Sequence, residues 1–337
     1  MKHKKIQLTI KTTAVLLFSS LACGCENGKE ADGYEPVPIQ LNAVVGNQGA
    51  VTRFTSYDTD AIQTVKIYPG QYVWAWALYH SNQTTYMEAW RLTAQTNGAL
   101  AGSAKYYPDT GSSIDIIAVQ GNFSETIDEA AQTAFPSILT HHVKDNQSAS
   151  SDYASSDLLY SRVDNKTGSS GVVTLPFKHY LSRIEISLES PHYSLDDLKH
   201  ATVEIVNVQK ECTISMNNGN ADTEPTITTS GETGSIILKN GTLGDARGVG
   251  DSTNGRDFLE GVVPPQEMTE GLAFIKVTLT SRNNRVLYYQ IPSGGLPLTK
   301  NQRYQYIFTL YESNITLSGA TYQEGYDDTG IDIKPEA

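Results

Sequence analysis

Cysteine is scarce in this chain. Of its 337 residues only three are Cys. Cys23 and Cys25 crowd the N-terminal leader, which leaves Cys212 alone for the fold. One cysteine closes no internal disulfide and makes no metal site by itself, so a buried, inert thiol is the expected state. Basic charge is also short: 25 Lys and Arg stand against 37 Asp and Glu, a net charge of −12. Nothing would neutralise phosphates, which excludes nucleic acid as a partner. The acidic balance suits an exposed, soluble surface. No apolar run is long enough to span a bilayer comfortably; the run in the leader is Thr12 to Ala22. The signatures of several chemistries are missing too: no GxSxG, HExxH or EF-hand loop occurs. The Gly-rich stretch Asn240 to Arg256 has neither a strand-to-helix GxGxxG nor a Gly-Lys-Ser/Thr, and reads as a surface loop. Adjacent residues point to opposite faces of a strand. Asp196-Asp197 and Asp327-Asp328 therefore make no catalytic pair, and His141-His142 reads as surface rather than as a chelate. No catalytic residue, metal ligand or cofactor is assigned, and the chain is not read as an enzyme.

What is present begins with an export leader. Lys2, Lys4, Lys5 and Lys11 precede or open the apolar run, and small residues close it, as in a secretory signal. SSLACGC resembles a bacterial lipobox, in which a Cys is acylated and becomes the mature N-terminus. Cys23 and Cys25 both fit; Gly24 before Cys25 and the polar, acidic residues after it favour Cys25. Residues 1–25 are expected to be a lipoprotein signal peptide with its acylation site, and 26–36 a polar tether. Each buried methylene of an acyl chain adds about 0.8 kcal/mol, so several chains, palmitate among them, hold a protein firmly on a membrane.

The remainder, long enough for about two domains, reads as β. Ile39, Leu41, Ala43 and Val45 alternate with Gln40, Asn42 and Val44, giving a strand with one apolar face. A GNQG turn leads from it to Arg53. Tyr72, Trp74, Trp76 and Leu78 make one face of the next long strand and Val73, Ala75, Ala77 and Tyr79 the other; both are apolar, which predicts a central position in a sandwich. Trp74, Trp76 and Trp90 sit in strong alternation and read as core rather than as a carbohydrate-stacking platform. Ile127, Ala130, Ala131 and Ala134 after Ser124 predict a short helix over 125–135. Asn146 to Ser156 reads as a polar surface loop, and Ser194 to Leu198 as a turn with one helical turn. Later, Ala273, Ile275, Val277 and Leu279 return through an RNNR hairpin to Leu287, Tyr289 and Ile291. Tyr304, Tyr306, Phe308 and Leu310 share the next face.

The stretch from Ser156 to Ser190 organises the whole. Val173, Leu175 and Phe177 alternate with Thr174 and Pro176; Ile184, Ile186 and Leu188 alternate with Glu185 and Ser187. Pro176 cannot donate to a ladder, so that strand is an edge or breaks there. The stretch reads as the seam between an N-terminal β-sandwich domain, 37–172, and a C-terminal one, 173–337.

The order DLLY, polar gap, VTLPFKHYLSRIEISL resembles the mid-chain signature of the fimbrillin family, the lipoprotein pilins of Bacteroidales that build type V pili. The lipobox, the first strand with Arg53 after it, the YYP at 106–108, and the block from VVPPQ at 262–266 to YIFTL are similar to the family in the same order. The family's late tryptophan is missing, with Tyr326 as its stand-in, and the tail keeps only Ile331 and Ile333 in alternation. The resemblance implies an all-β fold of two tandem Greek-key, transthyretin-like β-sandwich domains with a short helix in a loop. It implies a structural pilin, exported as a lipid-anchored precursor to the outer membrane and cell surface. An arginine-specific protease would cut after Arg53, removing a detachable edge strand, Ile39, Leu41, Ala43 and Val45. Another pilin subunit, like or unlike, would fill its place by donor-strand exchange, in a fimbrium serving adhesion to a host or bacterial receptor. From the residues alone Arg53 is equally a solvated loop residue. The rival reading is a surface lipoprotein that binds glycan or host protein and never polymerises.

Overall fold

Alternation at the seam becomes two consecutive strands that belong to different sheets. In the computed structural model the described residues are 35–46, 63, 65–216, 219–240 and 254–324. Cys23, Cys25, Arg53, Tyr326, Asp327, Asp328, Ile331, Ile333 and the Gly-rich stretch 241–253 lie outside them.

In chain order the first half holds β1 (Gln40–Val45), β2 (Tyr72–Tyr79), β3 (Thr85–Ala94), β4 (Ala99–Gly102), β5 (Ile114–Gln120), β6 (Ile138–His142), α1 (Ser150–Ser156), β7 (Leu159–Lys166) and β8 (Val172–His179). Seven of these strands close on themselves in the order β1-β4-β3-β2-β5-β7-β8. Inside lie Leu41, Val73, Leu92, Ile116, Leu175 and Phe177 among others. β2 is central, between β3 and β5, as its two apolar faces predict. β5 is buried at all seven positions. Ile114, Ile116 and Ala118 face this first core, while Ile117 and Val119 face a second. One strand thus serves as a wall of both.

The second half holds β9 (Ser182–Ser190), α2 (Leu195–Lys199), β10 (Thr202–Ser215), β11 (Ile227–Ile237), β12 (Lys239–Asn240), β13 (Asn254–Val263), β14 (Gln266–Met268), β15 (Ala273–Leu279), β16 (Arg285–Gln290), β17 (Leu296–Leu298), β18 (Gln302–Leu310) and β19 (Ile315–Glu324). Its main sheets run β11-β10-β15-β16 and β12-β13-β9-β18-β19, with β6 from the first half paired to β10. Residues of both sheets, Ile205 and Ile275 on one, Ile186 and Phe308 on the other, share the second core. The fold is all-β, as expected, and the VVPPQ segment has a physical role in it. Val262 and Val263 are fully buried. Pro264 and Pro265 then end β13, since neither can donate to a ladder. The Gln266 side chain accepts from the Gln209 amide at 2.9 Å and donates to the Gln209 carbonyl at 3.1 Å, standing in for a strand partner where β10 bulges.

Three local expectations fail. The helix over 125–135 does not form. Asp128 accepts from the Ala130 amide through its carboxylate and from the Thr133 amide through its carbonyl, and Gln132 takes a φ of 52°. A short acidic side chain that bonds the backbone two residues on competes with helix. The helix instead occupies Ser150–Ser156, inside the stretch read as a surface loop, because Tyr153 and Ala154 have a core to enter. His141 is not at the surface. It is fully buried, with Nδ1 accepting from the Asn122 amide at 3.0 Å and Nε2 donating to the Ser156 carbonyl at 2.9 Å. Only His142 faces out, and no group of metal-binding side chains exists among the described residues.

Candidate functional site

Alternation gives β1 two kinds of side. Ile39, Leu41, Ala43 and Val45 are 3–7% exposed and enter the first core. Gln40, Asn42 and Val44 face outward. The backbone is held on both flanks. Towards β4 the amides of Ile39, Ala43 and Val45 donate to the carbonyls of Lys105, Gly98 and Val65 at 2.8, 2.8 and 3.0 Å. Towards β8 the pairing is parallel over six positions, from Gln40 opposite Val172 to Val45 opposite Phe177. Gly46 then donates to the Phe177 carbonyl at 3.1 Å. The expectation of an edge strand is therefore corrected: β1 is intercalated between two others, because its second flank completes a sheet that would otherwise stay open.

Several motifs find their purpose along this strand. The YYP segment clasps its entry: Pro38 bridges to Tyr106, the Tyr107 amide donates to the Val37 carbonyl at 2.9 Å, and the Tyr107 side chain is buried. Gly98, in the β3–β4 turn, has a φ of +85°, and a Cβ there would stand 3.3 Å from the Ala43 carbonyl. Glycine suits both the left-handed conformation and the close approach. Pro176 sits inside β8 at no cost to the β1 ladder. The Phe177 carbonyl points to Gly46 and the Tyr180 amide to the Leu158 carbonyl. By alternation the nitrogen of Pro176 faces the β7 side, where the β7–β8 ladder has only two pairs. Sequence reasoning had the apolar faces on β1 and β8; it missed their pairing and the clasp at Lys105 to Tyr107.

The energetics follow from burial. Ile39, Leu41 and Val45 contribute about 1.5–3 kcal/mol each as large buried side chains. Their sum, an upper estimate, is of the same order as the whole stability of a typical domain, about 5–15 kcal/mol. A chain without β1 would carry an apolar slot between β4 and β8 with unpaired backbone on both rims. Such a slot is satisfied by an added strand of alternating pattern.

The other candidate residues do not converge on one another. Cys212 is fully buried, and burial pushes its thiol up to about 12. Asp196 and Asp197 lie in helix α2 rather than on a strand and still part company: Asp196 is exposed, whereas Asp197 is tied to Ser194 at the start of α2 and to Arg282 at 2.6 Å. Trp76 and Trp90 are core residues, with indole nitrogens donating to the Thr133 and Ser103 carbonyls at 3.0 Å each, and Trp74 is half-buried.

Comparison with known proteins agrees with this architecture. Among solved structures, a candidate cell-adhesion protein from Bacteroides uniformis is similar at 20% identity and a TM-score of 0.56, covering 85% of this chain and 98% of its own. A second, from Bacteroides ovatus, is similar at 12% identity and a TM-score of 0.55, covering 88% of this chain and 100% of its own. At these identities the likeness concerns the fold. No curated protein matches the sequence. The profile of the Fimbrillin-like family matches residues 52–323. On that match, which takes in most of the chain, the protein belongs to the Fimbrillin-like family of fimbrial proteins.

Proposed function

We propose that this protein is a pilin whose first strand is a placeholder. It is exported as a lipoprotein precursor acylated at Cys25 or Cys23, anchored at the outer membrane, and cut after Arg53 by an arginine-specific protease. β1 then leaves the slot between β4 and β8, and a strand from another subunit, like or unlike, replaces it in a fimbrium that serves adhesion. Two domains are part of the same reading, with the boundary moved from 172/173 to the end of β8, because Val173, Leu175 and Phe177 enter the first core.

One observation carries the proposal: β1 contributes four buried side chains and two flanks of hydrogen bonds, yet it is joined to the rest of the chain only through the segment that holds Arg53. A single cut there would free a whole strand without touching either core elsewhere. The test is treatment of purified precursor with an arginine-specific protease, with Arg53→Ala as the control. The expected product begins at Phe54 and forms oligomers, while the variant keeps its strand and stays monomeric. A precursor that neither loses residues up to Arg53 nor oligomerises sinks the proposal.

A further inference from the structure

The outer face of β2 and β3 carries a trough outside the slot between β4 and β8. Trp74 on β2 stands directly across from Arg91 on β3. The Arg91 guanidinium lies 5.1 Å from the centre of the Tyr72 ring, and Tyr72 is about half exposed. The segment 126–130 lies beside them and borders an open hollow of about 550 Å³ with Trp74 and Arg91 in its lining. A second hollow of about 340 Å³ lies against the first, since Glu129 lines both. Tyr86, Glu88, Lys105 and Tyr106 line the second, and Tyr106 is 45% exposed.

The two hollows repeat one chemistry. Each has an aromatic side chain, one cation and carboxylates: Trp74, Arg91 and Asp128 in the first, Tyr86 and Tyr106, Lys105 and Glu88 in the second, with Glu129 between. The wall is fixed in place. Glu129 accepts from the Ser103 hydroxyl and from the Arg91 amide at 3.4 Å, and pairs with Lys105 at 3.5 Å. Aromatic faces beside paired donors and acceptors suit a ring with one apolar face and a rim of hydroxyls. Two such places side by side suit a chain of those rings. Three carboxylates against two cations oppose an anionic ligand.

We propose that this trough binds a neutral oligosaccharide, with one sugar over Trp74 and the next units beside Tyr86 and Tyr106. Arg91, Lys105, Glu88 and Asp128 serve as hydroxyl partners. The trough lies outside the slot between β4 and β8, and the precursor keeps intact the Lys105–Tyr106 segment that clasps the entry of β1, so the whole precursor should bind without cleavage. Trp76 and Trp90 are buried, so a change in indole emission on binding reports Trp74. Titration of the full chain with maltohexaose, cellohexaose, mannohexaose and, as the acidic probe, 3′-sialyllactose tests the proposal. At least one neutral hexasaccharide should bind with a Kd of about 1 mM or tighter. Trp74→Ala should weaken it at least about tenfold. Tyr106→Ala, on the exposed rim, gives a second reading by calorimetry should the Trp74 variant melt early. The proposal is overturned if no neutral probe binds, if only 3′-sialyllactose binds, or if the folded variants bind like the parent.

Discussion

The two halves of this protein hold their parallel seam pairs with different materials. Each half has a seam strand with a parallel partner from the far end of the chain: β8 with β1 from the start, β9 with β18 from near the end. Around β8 the contacts that fix the partner are apolar side chains and plain backbone ladders. Around β9 the sheet carries a buried ionic row. Arg183 pairs with Glu260 at 2.6 Å and with Glu185 at 2.9 Å; Arg303 reaches Glu185 at 2.7 Å; Lys239 reaches Glu260 at 2.8 Å. Burial alone would raise the Glu260 carboxyl, but the charges of Arg183 and Lys239 outweigh it and hold it below its ordinary range. An apolar slot accepts any strand with the right alternation, whereas a buried ion row tolerates no missing member. On the proposed reading the first half can trade a strand, while the second keeps all of its own.

That contrast is broken most directly by Glu260→Ala. It strands Arg183 and Lys239 without their shared carboxylate, and the expected loss is about 3–5 kcal/mol, read from urea unfolding of the whole chain. A loss under about 1 kcal/mol, ordinary for a surface pair, would show that the row is no lock. Leu41→Ala sharpens the other side. It should cost about 2–5 kcal/mol as a core truncation, with hydrogen exchange rising in β1 before β9 or β18. Equal protection in all three strands would argue that β1 is as firmly built in as the rest. The third perturbation is acid. His141 is held neutral because burial lowers its pKa to about 4, and protonation would put a proton on the nitrogen that accepts from Asn122. The folded pKa lies below the unfolded one, so the unfolded chain takes up the proton first as pH falls. This stability is therefore complete above about pH 6.5 and lost on the way down to pH 4, by about 3 kcal/mol in all. Unfolding at stepped pH checks it. A parent whose stability is flat between pH 6.5 and 4.5, or a His141→Asn variant with the parent's slope, would reject the assignment.

Much of this was legible in the residues. Alternation at Ile39 to Val45, Val173 to Phe177, Ile184 to Leu188 and Tyr304 to Leu310 is a local property, and each became a strand with the expected face buried. The Asn pair at 283–284, both with φ near 56°, turned the hairpin where RNNR placed it. The misses share a cause. Glu185 reads as an outward residue by period two, yet it is 2% exposed because its sheet is covered on that side and Arg183 and Arg303 supply its counter-charges. His141 and Tyr153 read as surface residues for the same reason: what covers them lies far along the chain.

The order of amino acids alone determined that this chain is β-rich, acidic and poor in cysteine, and which face of each strand is apolar, because period, charge and composition act over neighbouring residues. Only the tertiary structure decided that β1 lies between β4 and β8, that β5 serves two cores, and that five charged side chains from four strands meet in one buried row. Pairing and burial depend on residues tens to hundreds of positions apart, and their free energy exists only once the chain has brought them into contact.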